Sequence, residues 1–161
     1  MASELTFSQV RDGIIMSLHK AYPTAAVFSD TAPQDVTDGS FNVILVSVRE
    51  REKLSDYRLN SATFDVVYYA DHSNVTDDML RVSTDLPLLL ETITTPSGAK
   101  AHPEELTITP QDDDTLHCLV TYTYHVIAKR VHVDDDGNEV SDYDLMRHLI
   151  IHLPAEEDEN G

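Results

Sequence analysis

The chain holds a single cysteine, Cys118, among its 161 residues. One thiol excludes an intrachain disulfide, a thiolate zinc knuckle and a CxxC redox pair. Its place inside an alternating β pattern marks it as a small buried hydrophobe rather than a reactive thiol. Glycine is scarce as well, with 5 residues, and no glycine-rich loop of the kind that cradles a phosphate can be found. Basic residues are few: 11 Lys and Arg stand against 29 Asp and Glu, for a formal charge of −18 and a pI near 4.5. Affinity for nucleic acid comes mostly from counterions released by Lys and Arg, so the composition argues against a conventional nucleic-acid binder. No run approaches the ~20 apolar residues needed to span a bilayer. The opening MASELTFSQV also lacks the basic-then-apolar order of a signal peptide, so the expectation is a soluble, unexported chain with no membrane partner.

What is present is enough for one core. A chain of this length that is 41% hydrophobic buries a single real core and is too short for two comfortable domains. The expected organisation is an α+β domain over residues 1–133, then an acidic turn, an apolar segment and a disordered tail over 134–161. The excess negative charge keeps the protein dispersed, and salt, as in a saline cytoplasm, screens the self-repulsion it creates.

Thr6-Phe7-Ser8-Gln9 reads as a capping box, with Leu5 and Val10 at hydrophobic-staple positions, and predicts a helix from Phe7 to Ala21. Val10, Ile14, Leu18 and Tyr22, with Ile15 beside them, form its stripe, which Pro23 ends. Ala25 to Ser29 is a candidate edge strand, and Asp30 to Ser40 a polar loop with a tight turn at Asp38-Gly39. Phe41 to Val48, apolar at nearly every position, predicts an interior strand covered on both faces. Arg49 to Asp56 reads as a charged connection. From Arg58, Asn60, Ala62, Phe64, Val66 and Tyr68 alternate with Ser61, Thr63 and Asp65, the pattern of a half-buried strand in mid-sheet. Thr76 is the expected cap of a second helix with Asp77 and Asp78 in its first turn. Its inward stripe is Met79, Ser83, Leu86, Leu90 and Ile93, and Pro96-Ser97-Gly98 ends it. Pro87 predicts a kink or two short helices in succession.

Glu105 to Thr109 and Thr115 to Arg130 then form a hairpin around Pro110 to Asp114. Leu116, Cys118, Val120, Tyr122, Tyr124 and Val126 line one face of its second arm, against His117, Thr121, Thr123 and His125. The sum is an α+β fold, a mostly antiparallel sheet of about four to five strands with two main helices packed on one face. Past the acidic turn, Tyr143, Leu145, Met146, Leu149, Ile150, Ile151 and Leu153 make an apolar patch that either closes the core or docks on a partner chain.

A calcium loop over His132 to Tyr143 places Asp134, Asp136 and Gly137 well, but puts His132 first and Tyr143 twelfth, where the loop needs Asp and a bidentate Glu. A solvated Asp-Gly turn is the better reading. His148 and His152 have the spacing of two ligands on a helix face, yet no Glu follows His148 and no third ligand is evident. His117, Cys118 and Asp85 have the residue types of a nucleophilic triad, but adjacent strand residues point to opposite faces. The expectation is a protein that is not an enzyme and uses no metal or cofactor.

The order of elements gives one further lead. Val46-Ser47-Val48-Arg49-Glu50, Tyr57-Arg58, Phe64-Asp65-Val66-Val67-Tyr68-Tyr69 and the late Val120 to Ile127 strand, taken together, resemble the phage tail terminator family of siphophages and related proviruses. The motif residues are Arg49, Glu50, Tyr57, Phe64, Asp65 and Tyr68, and the resemblance runs from about Val10 to Leu149. Pro87, the long Thr94 to Glu104 connection and the acidic tail depart from the family pattern. The resemblance implies a structural virion protein at the head-proximal end of the tail, made in the host cytoplasm and assembled as a ring, usually a hexamer. The ring would cap the tail tube, end its polymerisation and offer the surface that joins tail to head. Its partners would be further copies of itself, the tail tube protein and a connector or stopper protein, with DNA only in transit. On that reading Asp112, Asp113 and Asp114 with Asp134, Asp135 and Asp136 are candidates to face the lumen, and Tyr143 to Ile150 to touch a partner. The alternatives are a head-tail connector or stopper of the same virion, and a small ligand-binding α+β module.

Overall fold

A computed structural model describes residues 5–32, 34–54, 57–127, 132–133 and 135–140. The expected apolar patch from Tyr143 to Leu153, the His148 and His152 pair, and Asp134 lie outside the described residues.

Helix α1 spans Phe7–Ala21, and its start is the expected capping box: the Gln9 N–H donates to Thr6 Oγ1 at 3.2 Å and the Thr6 N–H to Gln9 Oε1 at 3.3 Å. Strands β1 (Val27–Ser29), β2 (Phe41–Leu54), β3 (Tyr57–Tyr69), β6 (Pro103–Pro110) and β7 (Thr115–Ile127) form one sheet in the order β1-β2-β3-β7-β6. Only the β1–β2 pair is parallel; the others run antiparallel, as a short connection permits. Strand β3 is central, and its even residues from Asn60 to Tyr68 are buried, as the alternation required. Those side chains join Leu116, Cys118, Val120 and Tyr122 of β7 beneath Val10, Ile14 and Leu18 of α1. Each such large apolar side chain, removed to alanine, costs about 2–5 kcal/mol.

Helix α2 spans Val75–Leu90 and differs from expectation at both ends, in its buried stripe and at Pro87. Its N-cap is Asn74, not Thr76, and Asn74 makes no side-chain capping bond. The buried stripe is centred on Val82, Leu86 and Leu90, one step round the helix from Met79 and Ser83. Of the kink or division expected at Pro87, the division is absent: one helix runs through it. Pro87 sits in the last turn, where it removes one backbone bond and few residues remain to be misdirected. The helix ends at Leu90, ahead of the Pro96-Ser97-Gly98 stop; those residues instead turn a small hairpin, β4 (Ile93–Thr94) with β5 (Lys100–Ala101). Gly13 of α1 lies against it, since a Cβ there would stand 3.3 Å from both Ile93 Cδ1 and Thr94 O.

Strand β2 corrects the sequence reading most. Phe41 and Val43 are fully buried, but Leu45, Val46 and Val48 are 44%, 54% and 49% exposed, so the strand is not covered on both faces. Two features explain it. A bulge between Leu45 and Ser47 leaves Val46 extra, so odd residues face the helices before it and the open side after it. Meanwhile α1 crosses the sheet diagonally: Phe7 packs on Tyr124 of β7 at 5.9 Å and Tyr22 on Phe41 of β2 at 5.0 Å, leaving the later half of β2 bare. Arg49 to Leu54, expected as a connection, continues the strand, pairing Arg49 with Ser61 and Arg51 with Leu59. A last small hairpin joins β8 (His132–Val133) to β9 (Glu139–Val140) around Gly137, whose φ of +84 suits the expected Asp-Gly turn.

Candidate functional site

Three surfaces carry the chemistry, and each follows from the strand registers. The first is the open face of the sheet, opposite the helices. Ser61 faces Thr123 with their hydroxyls 3.2 Å apart, and Thr63 faces Thr121 at 2.8 Å. Asp65 Oδ2 lies 2.7 Å from His117 Nδ1, so the carboxylate accepts the ring N–H. These rungs form a polar ladder across the two central strands. Arg49 and Arg51 extend it on β2, and Glu105, Thr107 and Thr109 on β6, since each shares a face with its register partner.

The second is an acidic end. Strands β2, β3, β6 and β7 all have one terminus here, beside the start of α2. The chain gathers Asp38, Asp71, Asp77, Asp78 and the Asp112 to Asp114 turn at this end. Asp38 Oδ1 stands 2.6 Å from His72 Nδ1. Partial burial works against ionisation of Asp78, but hydrogen bonds from the Tyr68 hydroxyl, the Asp71 N–H and Arg81 hold its carboxyl below the usual range. Hydrogen bonds from the Ser73 N–H and hydroxyl lower Asp71, and one from the Thr115 hydroxyl lowers Asp113. Asp114, at φ +60, completes the turn by accepting the Ala70 N–H at 3.0 Å. Asp112 and Asp113 are exposed at its tip, as are Asp135 and Asp136 at theirs.

The third is the bare half of β2. Asp30, at φ +65, turns the chain away after β1, and its carboxylate oxygen lies 3.5 Å from the Leu45 N–H. Beyond that point, up to Leu54, no described strand pairs with the outer edge of β2. Arg49 and Arg51 are exposed there, and Arg58 meets Glu50 at 2.7 Å on the other face. A chain of formal charge −18 thus presents Arg49 and Arg51 on an edge that no described strand pairs.

The motif residues scatter over these surfaces instead of converging. Phe64 and Tyr68 are core residues, Glu50 and Asp65 make cross-strand pairs, and Arg49 and Tyr57 are exposed. His117 and Cys118 point to opposite faces; burial, reinforced by Asp65, pushes the Cys118 thiol up to about 12. Among the described residues no group of three or more His, Cys, Asp or Glu is placed to hold a metal ion. No described helix is long and apolar enough to cross a membrane. A solvent-open groove of about 740 Å³ lies between Met16 and Lys20 of α1 and Leu88 and Leu89 of α2. Sequence reasoning missed His117 as the partner of Asp65 and the free edge at Arg49 to Leu54. The alternation of Arg49-Glu50-Arg51-Glu52 was the available signal for the second, because it places the two signs on opposite faces.

The described chemistry of this α+β fold lies in sheet edges, faces and charged ends, and of the motif residues Phe64 and Tyr68 serve the core. The model of the family described as phage tail terminator protein matches residues 9–134, well over half of the chain. The chain belongs to the phage tail terminator family, and its place is a structural one in the phage tail. Comparison with curated proteins gives no match.

Proposed function

We propose that this chain assembles into a homohexameric ring that caps the tail tube of a siphovirus, ends polymerisation of the tube protein and presents the head-side surface to a connector or stopper. The observation that carries this reading is the family match over residues 9–134. The sheet supports it physically, because its two outer edges have no partner among the described strands, such edges invite neighbours, and a closed ring removes them. No catalytic step is needed; the work is shape, contact and charge.

The acidic turns at Asp112 to Asp114 and Asp134 to Asp136 border the channel in this reading. Carboxylates there deny passing DNA the Lys and Arg contacts that generate non-specific affinity. The segment carrying Tyr143, Leu145, Met146, Leu149 and Ile150 contacts a neighbouring subunit or the tube. Chains of formal charge −18 repel one another at low ionic strength, and salt shortens the range of that repulsion to ~8 Å at physiological strength. Sedimentation across a salt series, with and without tube protein, tests the reading: rings form as salt rises or tube protein is added. A chain that stays monomeric under every condition contradicts it.

A further inference from the structure

We propose that the ring closes by strand addition: the bare edge of β2 in one subunit pairs antiparallel with β6 of the next, Arg51 opposite Glu105. This rests on the ring reading above and names the surface that would build it. Three inversions of direction separate β2 from β6 in the sheet, so β6 runs opposite to β2. A neighbour placed edge to edge in the same orientation therefore meets β2 as an antiparallel partner, and the sheet continues without a break.

The side chains match on both faces. With Arg51 opposite Glu105, Arg49 falls opposite Thr107 and Ser47 opposite Thr109, all on the open face. Val48 falls opposite Ile108 on the helix face, covering a valine that is 49% exposed in the single subunit. Neither Arg49, Arg51 nor Glu105 has an ion-pair partner among the described residues. A basic edge thus faces an acidic one in a chain where two acidic edges would be the compositional default. Pro103 and Pro110 bound the pairing stretch of β6, which confines the contact to the residues between them.

The register also fits a closed surface. Within one subunit Glu105 stands level with Ser47, through Thr121 and Thr63. Pairing it with Arg51 instead shifts the sheet by four residues per subunit, about 14 Å along the strands for about 19 Å across them. That corresponds to a tilt of about 35°, within the range at which barrels close. The helices then lie outside, and the Ser61, Thr63, Thr121 and Thr123 ladder lines the bore.

Charge exchange tests the contact. R51E and E105R, each alone, should raise the concentration for half-assembly by about tenfold or more, and the two combined should restore it. Both residues are exposed, so the melting temperature of the monomer should not move. A second pair, R49C with T107C, should give disulfide-linked ladders on oxidation, whereas R51C with T109C, out of register, should not; buried Cys118 stays silent. Rings that form equally well from R51E chains, or that cross-link only out of register, overturn strand addition and leave the ring reading standing. A wild-type chain that never forms rings overturns both.

Discussion

Tyr68 donates its hydroxyl hydrogen to Asp78 Oδ2 at 2.6 Å, and the Asp71 N–H reaches the same oxygen at 3.0 Å. Arg81 holds the other oxygen at 2.6 Å. One carboxylate therefore ties the end of the central strand, the connecting turn and the first turn of α2. Asp78→Ala strands the nearly buried Tyr68 hydroxyl and is expected to cost about 2 kcal/mol. The urea midpoint should fall with an unchanged slope.

Acid should act through the same groups. Asp78, Asp71 and Asp113 are all held below the ordinary carboxylate range when folded. Their contribution is complete above the unfolded value, near 4, and is lost as the pH falls through the lower folded values. In high salt, where general repulsion is screened, thermal stability should hold down to about pH 5 and fall below about pH 4. D78N should flatten that fall.

Cys118 is buried and its thiol is pushed up to about 12. The thiolate is the reactive form, so a thiol reagent at pH 8 should modify the folded chain only at the rate of unfolding, and the denatured chain at once.

On the proposed ring, replacing Asp112, Asp113 and Asp114 together by lysine would set cations along the path of the DNA. Virions carrying the change should have tails of normal length and slowed or trapped DNA ejection. Normal ejection would assign the charge to solubility in a saline host instead.

Local signals were readable and partner-dependent ones were not. The capping box at Thr6 and Gln9 and the alternation of β3 and β7 depend only on neighbours in sequence, and each formed as expected. The bulge at Val46 exists only against β3, because two residues opposing one is a property of a pair. Arg49 to Leu54 looked like a turn since its charges outweighed its alternation, but a strand open on both sides has no need of apolar residues. The His117 to Asp65 contact joins residues 52 apart in sequence, and nothing local specifies that register.

The central claim is that this chain ends tail growth. Phage particles produced without it, examined by electron microscopy, measure that directly through the distribution of tail lengths. The account predicts overlong tails of variable length that fail to join heads, with uniform tails restored by supplying the protein in trans. Tails of normal, uniform length in its absence would contradict it and place the protein at the connector instead.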